Sequence, residues 1–204
     1  MKKSTSFLYF LFCSSNISNI ILVGPRCVGK TSAGKGLSTM IGYEFVDADR
    51  AFEDIYGKIS KFVEQEGWEK FRQCEARIIK NICGRNHEKP IVLAPGGGAV
   101  AHNQGEQYRR ENVEALQQFG RIIYMIPSPN IEESAFILAQ RMLDDAFSTE
   151  LRPALTKERN EFTEMFKVIT ERHPLYESAS HDVLYTGRKD VDGITKDLVA
   201  LVQS

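Results

Sequence analysis

Ile20-Ile21-Leu22-Val23 is a short apolar run that ends in glycine, and the residues that follow constrain the fold more than any others in the chain. Gly24-Pro25-Arg26-Cys27-Val28-Gly29-Lys30-Thr31 matches G-x-x-x-x-G-K-[ST] at every fixed position. The spacing has a physical reason. Glycines let the chain wrap until several backbone N–H groups point at one anion. The helix that starts on the loop adds its positive N-terminal end. Lys30 then reaches the β- and γ-phosphates of a nucleoside triphosphate, and the Thr31 hydroxyl supports its magnesium. A chance match to four fixed positions arises on the order of once per hundred chains of this length, and such a match need not lie between a buried strand and a helix. Gly24, Pro25, Arg26, Cys27, Val28, Gly29, Lys30, Thr31 and Ser32 are therefore the candidate nucleotide-binding residues.

A strand feeding such a loop implies further strands beside it, and the sequence supplies them. Thr31 to Ile41 reads as the helix, and Tyr43 to Val46 as a second strand that ends in Asp47-Ala48-Asp49. An amphipathic stretch, Arg50 to Arg85, is interrupted near Gly57 and Gly67. Pro90 to Ala94 is a third buried strand before Gly96-Gly97-Gly98, Arg121 to Ile126 a fourth, and Asp182 to Tyr185 a fifth. A closing helix fits Asp190 to Val202. Strands alternating with helices predict an α/β fold with a mostly parallel sheet, whose ligands sit at the carboxyl ends of the strands. The stretch from about Asp144 to Lys157 has no clean period and carries Pro153, so it reads as a mobile lid.

Charge and cysteine usage narrow the partners. At 204 residues the chain has room for one well-packed domain, and its net charge of −1 gives no footprint for nucleic acid or an anionic membrane. Cys13, Cys27, Cys74 and Cys83 form no C-x-x-C pair and match no zinc spacing, which points to a reduced, cytoplasmic setting. Lys2, Lys3 and the apolar run Phe7 to Cys13 superficially resemble a signal peptide. That run falls short of the ~20 residues a bilayer crossing needs. Residues 1–18 are read as an extension, with a targeting segment as the alternative, and residues 19–204 as a single domain working as a monomer.

Several polar motifs fall at strand ends or on segments able to fold over them. Asp47 and Asp49, two apart on an extended chain, share a face. One can support magnesium and the other can take a proton from a substrate hydroxyl; a solvated acidic turn is the bland alternative. Gly96-Gly97-Gly98 removes side chains so that a ligand approaches the backbone, or is simply a flexible turn. Phe71-Arg72-x-x-Glu75 places Arg72 and Glu75 on one helix face, either as an oriented guanidinium or as an ordinary surface pair. Arg172-His173-Pro174-Leu175-Tyr176 reads alternatively as a helix end before a proline, and Arg152-Pro153 as a solvated loop.

Taken in order, these pieces resemble the shikimate kinase family, from about Ile20 to Thr186. The loop is shared by many unrelated proteins; the arginine motifs together with the glycine triplet carry the resemblance. It implies a three-layer P-loop kinase fold with a five-stranded parallel sheet, a helical substrate-binding region over about 49–86 and a lid over about 144–157. It implies ATP-dependent phosphorylation of the 3-hydroxyl of shikimate, with Mg2+, on the route to chorismate and aromatic amino acids. By the family pattern Arg72 and Arg172 bind the carboxylate, Glu75 holds them, and Phe71 adjoins them. Asp49 takes the ring hydroxyls and is the candidate base, Asp47 joins Thr31 at the metal, and Gly96, Gly97 and Gly98 contact substrate or phosphate. Lys30 and Arg152 neutralise the transferring phosphoryl group, and Arg141 and Arg188 are the candidate adenine contacts. The chain departs from the pattern at Trp68, which follows Gly67 where the family usually has glutamate, and in a longer stretch between Arg141 and Arg152. A kinase for another hydroxy acid, such as gluconate, and a non-catalytic nucleotide-binding relative are the alternatives.

Overall fold

The computed structural model describes residues 18–144 and 160–204. Its frame is one parallel sheet of five strands in the order β2-β3-β1-β4-β5. The strands are β1 (Asn19–Val23), β2 (Glu44–Asp47), β3 (Ile91–Ala94), β4 (Gly120–Ile126) and β5 (Asp182–Tyr185). The order follows from hydrophobicity. The inner strands are the apolar ones: β3 is buried throughout, as are β1 from Ile20 and β4 from Ile122. β2 and β5 each leave one end residue exposed and take the edges. The register pairs Ile20 with Val92 on one side and with Arg121 on the other, so β1 is flanked on both edges. Asn19 begins it as a clasp: its side chain donates to the Phe119 carbonyl at 3.0 Å and accepts from the Ile91 N–H at 2.9 Å.

The described helices are α1 (Lys30–Ile41), α2 (Ala48–Tyr56), α3 (Ile59–Gly84), α4 (Glu106–Phe119), α5 (Ile131–Asp144), α6 (Glu161–Ala179) and α7 (Val191–Gln203). α1 packs on α7, α3 on both α2 and α4, and α5 on α6, completing a three-layer α/β arrangement. None of the described helices is long and apolar enough to cross a membrane.

Because the chain crosses from β3 back past β1 to β4, β1 sits where the strand order reverses. A crevice opens at the carboxyl ends of strands at such a point. The loop from Gly24 to Gly29 leaves β1 there, and the turns after β2 and β3 adjoin it.

One expectation about local structure is corrected, and one bland alternative is excluded. Asp47 and Asp49 do not alternate along a strand: Asp47 ends β2 and caps α2, accepting from the Arg50 N–H at 3.2 Å, while Asp49 lies in the first turn of that helix. Aspartate at an N-cap satisfies an otherwise unpaired backbone donor, and that local bond ends the strand one residue before the expected face could form. Nor does a helix end before Pro174. α6 continues through it to Ala179. The carbonyl released by the missing N–H belongs to Thr170, and Thr170 and Pro174 are both exposed, on the solvent side of the helix.

The edge strand β5 is tied to β4 by a bidentate pair: Arg121 Nε and Nη2 donate to Asp182 Oδ2 and Oδ1 at 2.6 and 3.0 Å. The hydrogen bond from Arg121 holds the Asp182 carboxyl below its ordinary 3.8, with burial acting the other way. A depressed folded-state pKa contributes stability above the unfolded value, lost as pH falls through the folded one. Asp182→Asn is therefore expected to lower stability by about 1 kcal/mol near neutral pH and to reduce the acid sensitivity of unfolding. Urea titrations at pH 7 and pH 3 measure both effects.

Candidate active site

The site forms around the loop that opens α1. Cys27 adopts φ 63° and Gly29 φ 101°, so successive N–H groups turn inward ahead of the helix N-terminus. Lys30 is nearly buried and donates from Nζ to the carbonyls of Gly24 (2.9 Å) and Pro25 (2.7 Å), which stretches it across the loop it must serve. Thr31 Oγ1 donates to Asp47 Oδ2 at 3.1 Å. A hydroxyl and a carboxylate meeting beside a phosphate cradle suit magnesium, which keeps several waters and takes few protein ligands. Among the described residues no group of three or more His, Cys, Asp or Glu side chains is placed to hold a metal by itself.

The glycine triplet faces this loop from the end of β3. Its missing side chains make room chiefly for other side chains of the protein. A Cβ on Gly96, whose φ is 98°, would lie 2.7 Å from Asp49 Oδ1 and 3.4 Å from Glu75 Oε1. A Cβ on Gly98 would lie 2.4 Å from Arg72 Nη2, inside any permissible contact. A Cβ on Gly97, between them, would point at the phosphate loop, 3.6 Å from the Gly24 carbonyl oxygen, 3.8 Å from the Arg26 backbone nitrogen and 3.9 Å from Lys30 Nζ. One tripeptide thus brings Asp49, Glu75, Arg72 and Lys30 around a single crevice.

Arg72 is far from an ordinary surface residue. It is 3% exposed, and its Nη1 donates to both Glu75 oxygens at 2.8 Å. The two lie beyond the kink at Gly67 in α3 (φ 82°, ψ 168°), which aims the second part of the helix at the sheet ends. Phe71 and Trp68 flank the guanidinium, with ring centroids 5.0 and 5.3 Å from its carbon. Phe71 is itself buried against Phe52, so it backs Arg72 in the core. Burial raises the Glu75 pKa while Arg72 and Arg172 pull it down. The Arg172 side chain, half-buried on α6, bonds to Tyr176 one turn later. A carboxylate entering this corner would meet two guanidinium groups already oriented by protein partners.

Some contributors were not foreseen. The Tyr176 hydroxyl, whose pKa burial raises, donates to the Gly97 carbonyl, and its ring stacks on Tyr124 at 4.9 Å. Asn112 Nδ2 donates to the Ala99 carbonyl at 2.9 Å and anchors the turn after the triplet. Tyr176 was visible only as the last letter of a motif, and Asn112 carried no signal because its partner is a backbone carbonyl, which any residue type offers. Of the two candidate adenine contacts, Arg141 donates from α5 to the carbonyls of Gly187 (3.0 Å) and Lys189 (3.2 Å). Arg188 lies over the Phe136 ring and donates to Gln140 at 3.2 Å. Both sit where α5 meets the loop after β5. Arg152 and the segment read as a lid fall outside the described residues, apart from Asp144 at the end of α5.

A parallel sheet with a phosphate loop at its reversal point, facing a buried arginine across a glycine turn, defines a P-loop kinase of small molecules. The chain belongs to the shikimate kinase family, whose model matches residues 26–203. It is 32% identical over 166 residues to shikimate kinase 2 of Yersinia enterocolitica, covering 81% of this chain and 84% of the relative. Shikimate kinase 2 of Photorhabdus laumondii is 34% identical over 164 residues, covering 79% and 83%. Among solved structures, the shikimate kinase of Acinetobacter baumannii in complex with shikimate superposes with a TM-score of 0.75 at 28% identity, over 92% of this chain and 94% of that one.

Proposed function

We propose that this protein transfers the γ-phosphoryl group of ATP to the 3-hydroxyl of shikimate, releasing ADP and shikimate 3-phosphate. The observation that carries the reading is the Arg72–Glu75 pair, buried against Gly98 and facing the phosphate loop across Gly97. Burying an arginine this deeply is justified where it must present a fixed fork to a carboxylate.

The roles follow from position. Backbone N–H groups from Gly24 to Ser32 cradle the phosphates, with Arg141 and Arg188 beside the base. Thr31 and Asp47 would hold magnesium, which when bound offsets charge on the β- and γ-oxygens. Arg72 and Arg172 grip the shikimate carboxylate, and Glu75 keeps Arg72 in place. Asp49, exposed in the crevice beside Gly96, accepts the hydrogen bond of the ring hydroxyl. The hydroxyl oxygen attacks the γ-phosphorus, the bond to the β–γ bridging oxygen breaks, and the proton passes to Asp49. Lys30 accompanies the moving charge; Arg152 is assigned to meet it from the lid. Positioning and charge neutralisation supply most of the acceleration in such transfers. The same reading takes residues 19–204 as one catalytic domain, acting as a monomer in the cytoplasm.

Coupled measurement of ADP release with a panel of acids tests this. Turnover is expected with shikimate and at background level with gluconate or quinate. Turnover with gluconate alone would assign a different acceptor, and none with any acid would leave only nucleotide binding.

A further inference from the structure

Tyr176 ties α6 to the glycine triplet, and the mechanism above does not use it. The side chain is 1% exposed, and its hydroxyl donates to the Gly97 carbonyl. Burial raises its pKa, so the hydroxyl keeps the proton it donates. The ring is held from behind. It stacks on the buried Tyr124 ring at 4.9 Å and 18°, and the Tyr124 hydroxyl pairs with His173 Nδ1 at 3.1 Å. The carbonyl so gripped belongs to the peptide between Gly97 and Gly98. In a trans peptide C=O and N–H point opposite ways, so fixing the carbonyl toward Tyr176 turns the Gly98 N–H away from it. Gly98 is buried, and among the described residues its N–H has no hydrogen-bond partner. A buried donor left open calls for a partner, which a ligand can supply. The surroundings say which ligand. The vacant side-chain position of Gly97 looks at Lys30 Nζ and the phosphate loop, and that of Gly98 looks at Arg72. The peptide therefore joins the nucleotide side of the crevice to the arginine assigned to the acceptor, beside the path of the phosphoryl group. With glycine on both sides, sterics alone do not decide which way this peptide faces. Turned over, it would offer a carbonyl oxygen, which repels phosphate.

We propose that Tyr176 is a positioning residue for phosphoryl transfer: its hydroxyl holds the Gly97–Gly98 peptide in the orientation that offers the Gly98 N–H to an oxygen of the transferring group. A donor fixed in advance needs no reorganisation when charge develops on that oxygen. Arg172, one turn earlier on α6, bonds to the same side chain. Loss of the hydroxyl therefore also raises the shikimate KM, and kcat at saturating substrates isolates the peptide. This inference rests on the proposed reaction.

Two measurements test it. Tyr176→Phe keeps the ring and its stack and removes only the hydroxyl. Its kcat should fall about tenfold, the effect of one lost hydrogen bond, while the ATP KM stays within about twofold. Tyr124→Phe loosens the same stack without touching the peptide, and its kcat should stay within about twofold of the parent. An unchanged kcat in Tyr176→Phe, or equal losses in the two variants, would reduce Tyr176 to packing and overturn the proposal. The second measurement uses the unmodified chain, so it stands even if a variant does not fold. In the uniformly 13C,15N-labelled protein with ADP, Mg2+ and shikimate, adding aluminium fluoride, a planar mimic of the phosphoryl group, should move the Gly98 amide proton downfield. A Gly98 amide that does not move sinks the idea. Absent shikimate turnover in the unmodified chain would instead overturn the assigned acceptor, and the same amide, measured with ADP, Mg2+ and aluminium fluoride alone, then decides whether the Gly98 N–H serves the phosphoryl group.

Discussion

Lys30→Met yields a folded protein whose turnover falls by about a thousandfold or more. Lys30 lies stretched over the phosphate loop, donating to the Gly24 and Pro25 carbonyls at 2.9 and 2.7 Å. Methionine keeps its length and apolar stem but supplies no donor. On the proposed mechanism, charge building on the γ-phosphoryl oxygens then loses a fixed cationic partner. The two carbonyls lose their donor as well, so a modest loss of stability, about 1–3 kcal/mol, is expected beside the catalytic one. Circular dichroism and thermal melting separate the two effects, and single-turnover measurement at saturating substrates isolates chemistry. A variant that retained turnover within tenfold of the parent would remove Lys30 from the reaction.

Arg72→Ala has the second largest expected effect, and its signature is double. The shikimate KM should rise by about a hundredfold or more, since a bidentate charged contact is lost. Stability should also drop by about 3–5 kcal/mol, because Glu75 is left buried without its partner. The double variant Arg72→Ala, Glu75→Gln distinguishes the two: removing the stranded charge should recover much of the stability and none of the affinity. Recovery of the shikimate KM in the double variant, or an unchanged KM in the single one, would show that the carboxylate binds elsewhere.

These two residues were legible in the sequence for different reasons. Lys30 belongs to a contiguous motif whose local geometry dictates its function, and the strand and helix around it appear almost where expected, with α1 starting at Lys30 in place of Thr31. Arg72 and Glu75 were legible as a helical i,i+3 pair, but nothing local to them encodes their burial. That comes from the kink at Gly67 and from Gly98, which is 26 positions further along and reaches them only through the sheet. The strands could be read because inner parallel strands are apolar on both faces. α4 could not be delimited, since Leu116 and Asn112 are its only buried residues among those described and leave no period to follow. Asp47 and Asp49 show how a sound periodicity argument fails when a capping bond ends the strand first.

The glycine triplet also governs how this protein can change over evolutionary time. Each of its three vacant side-chain positions adjoins a different partner: Asp49 and Glu75, the phosphate loop, and Arg72. Any side chain at Gly98 collides first with the guanidinium, so a substitution there must displace Arg72. On the proposed assignment of Arg72 to the acceptor's carboxylate, a side chain at position 98 and that grip exclude each other, although the two residues lie far apart in sequence.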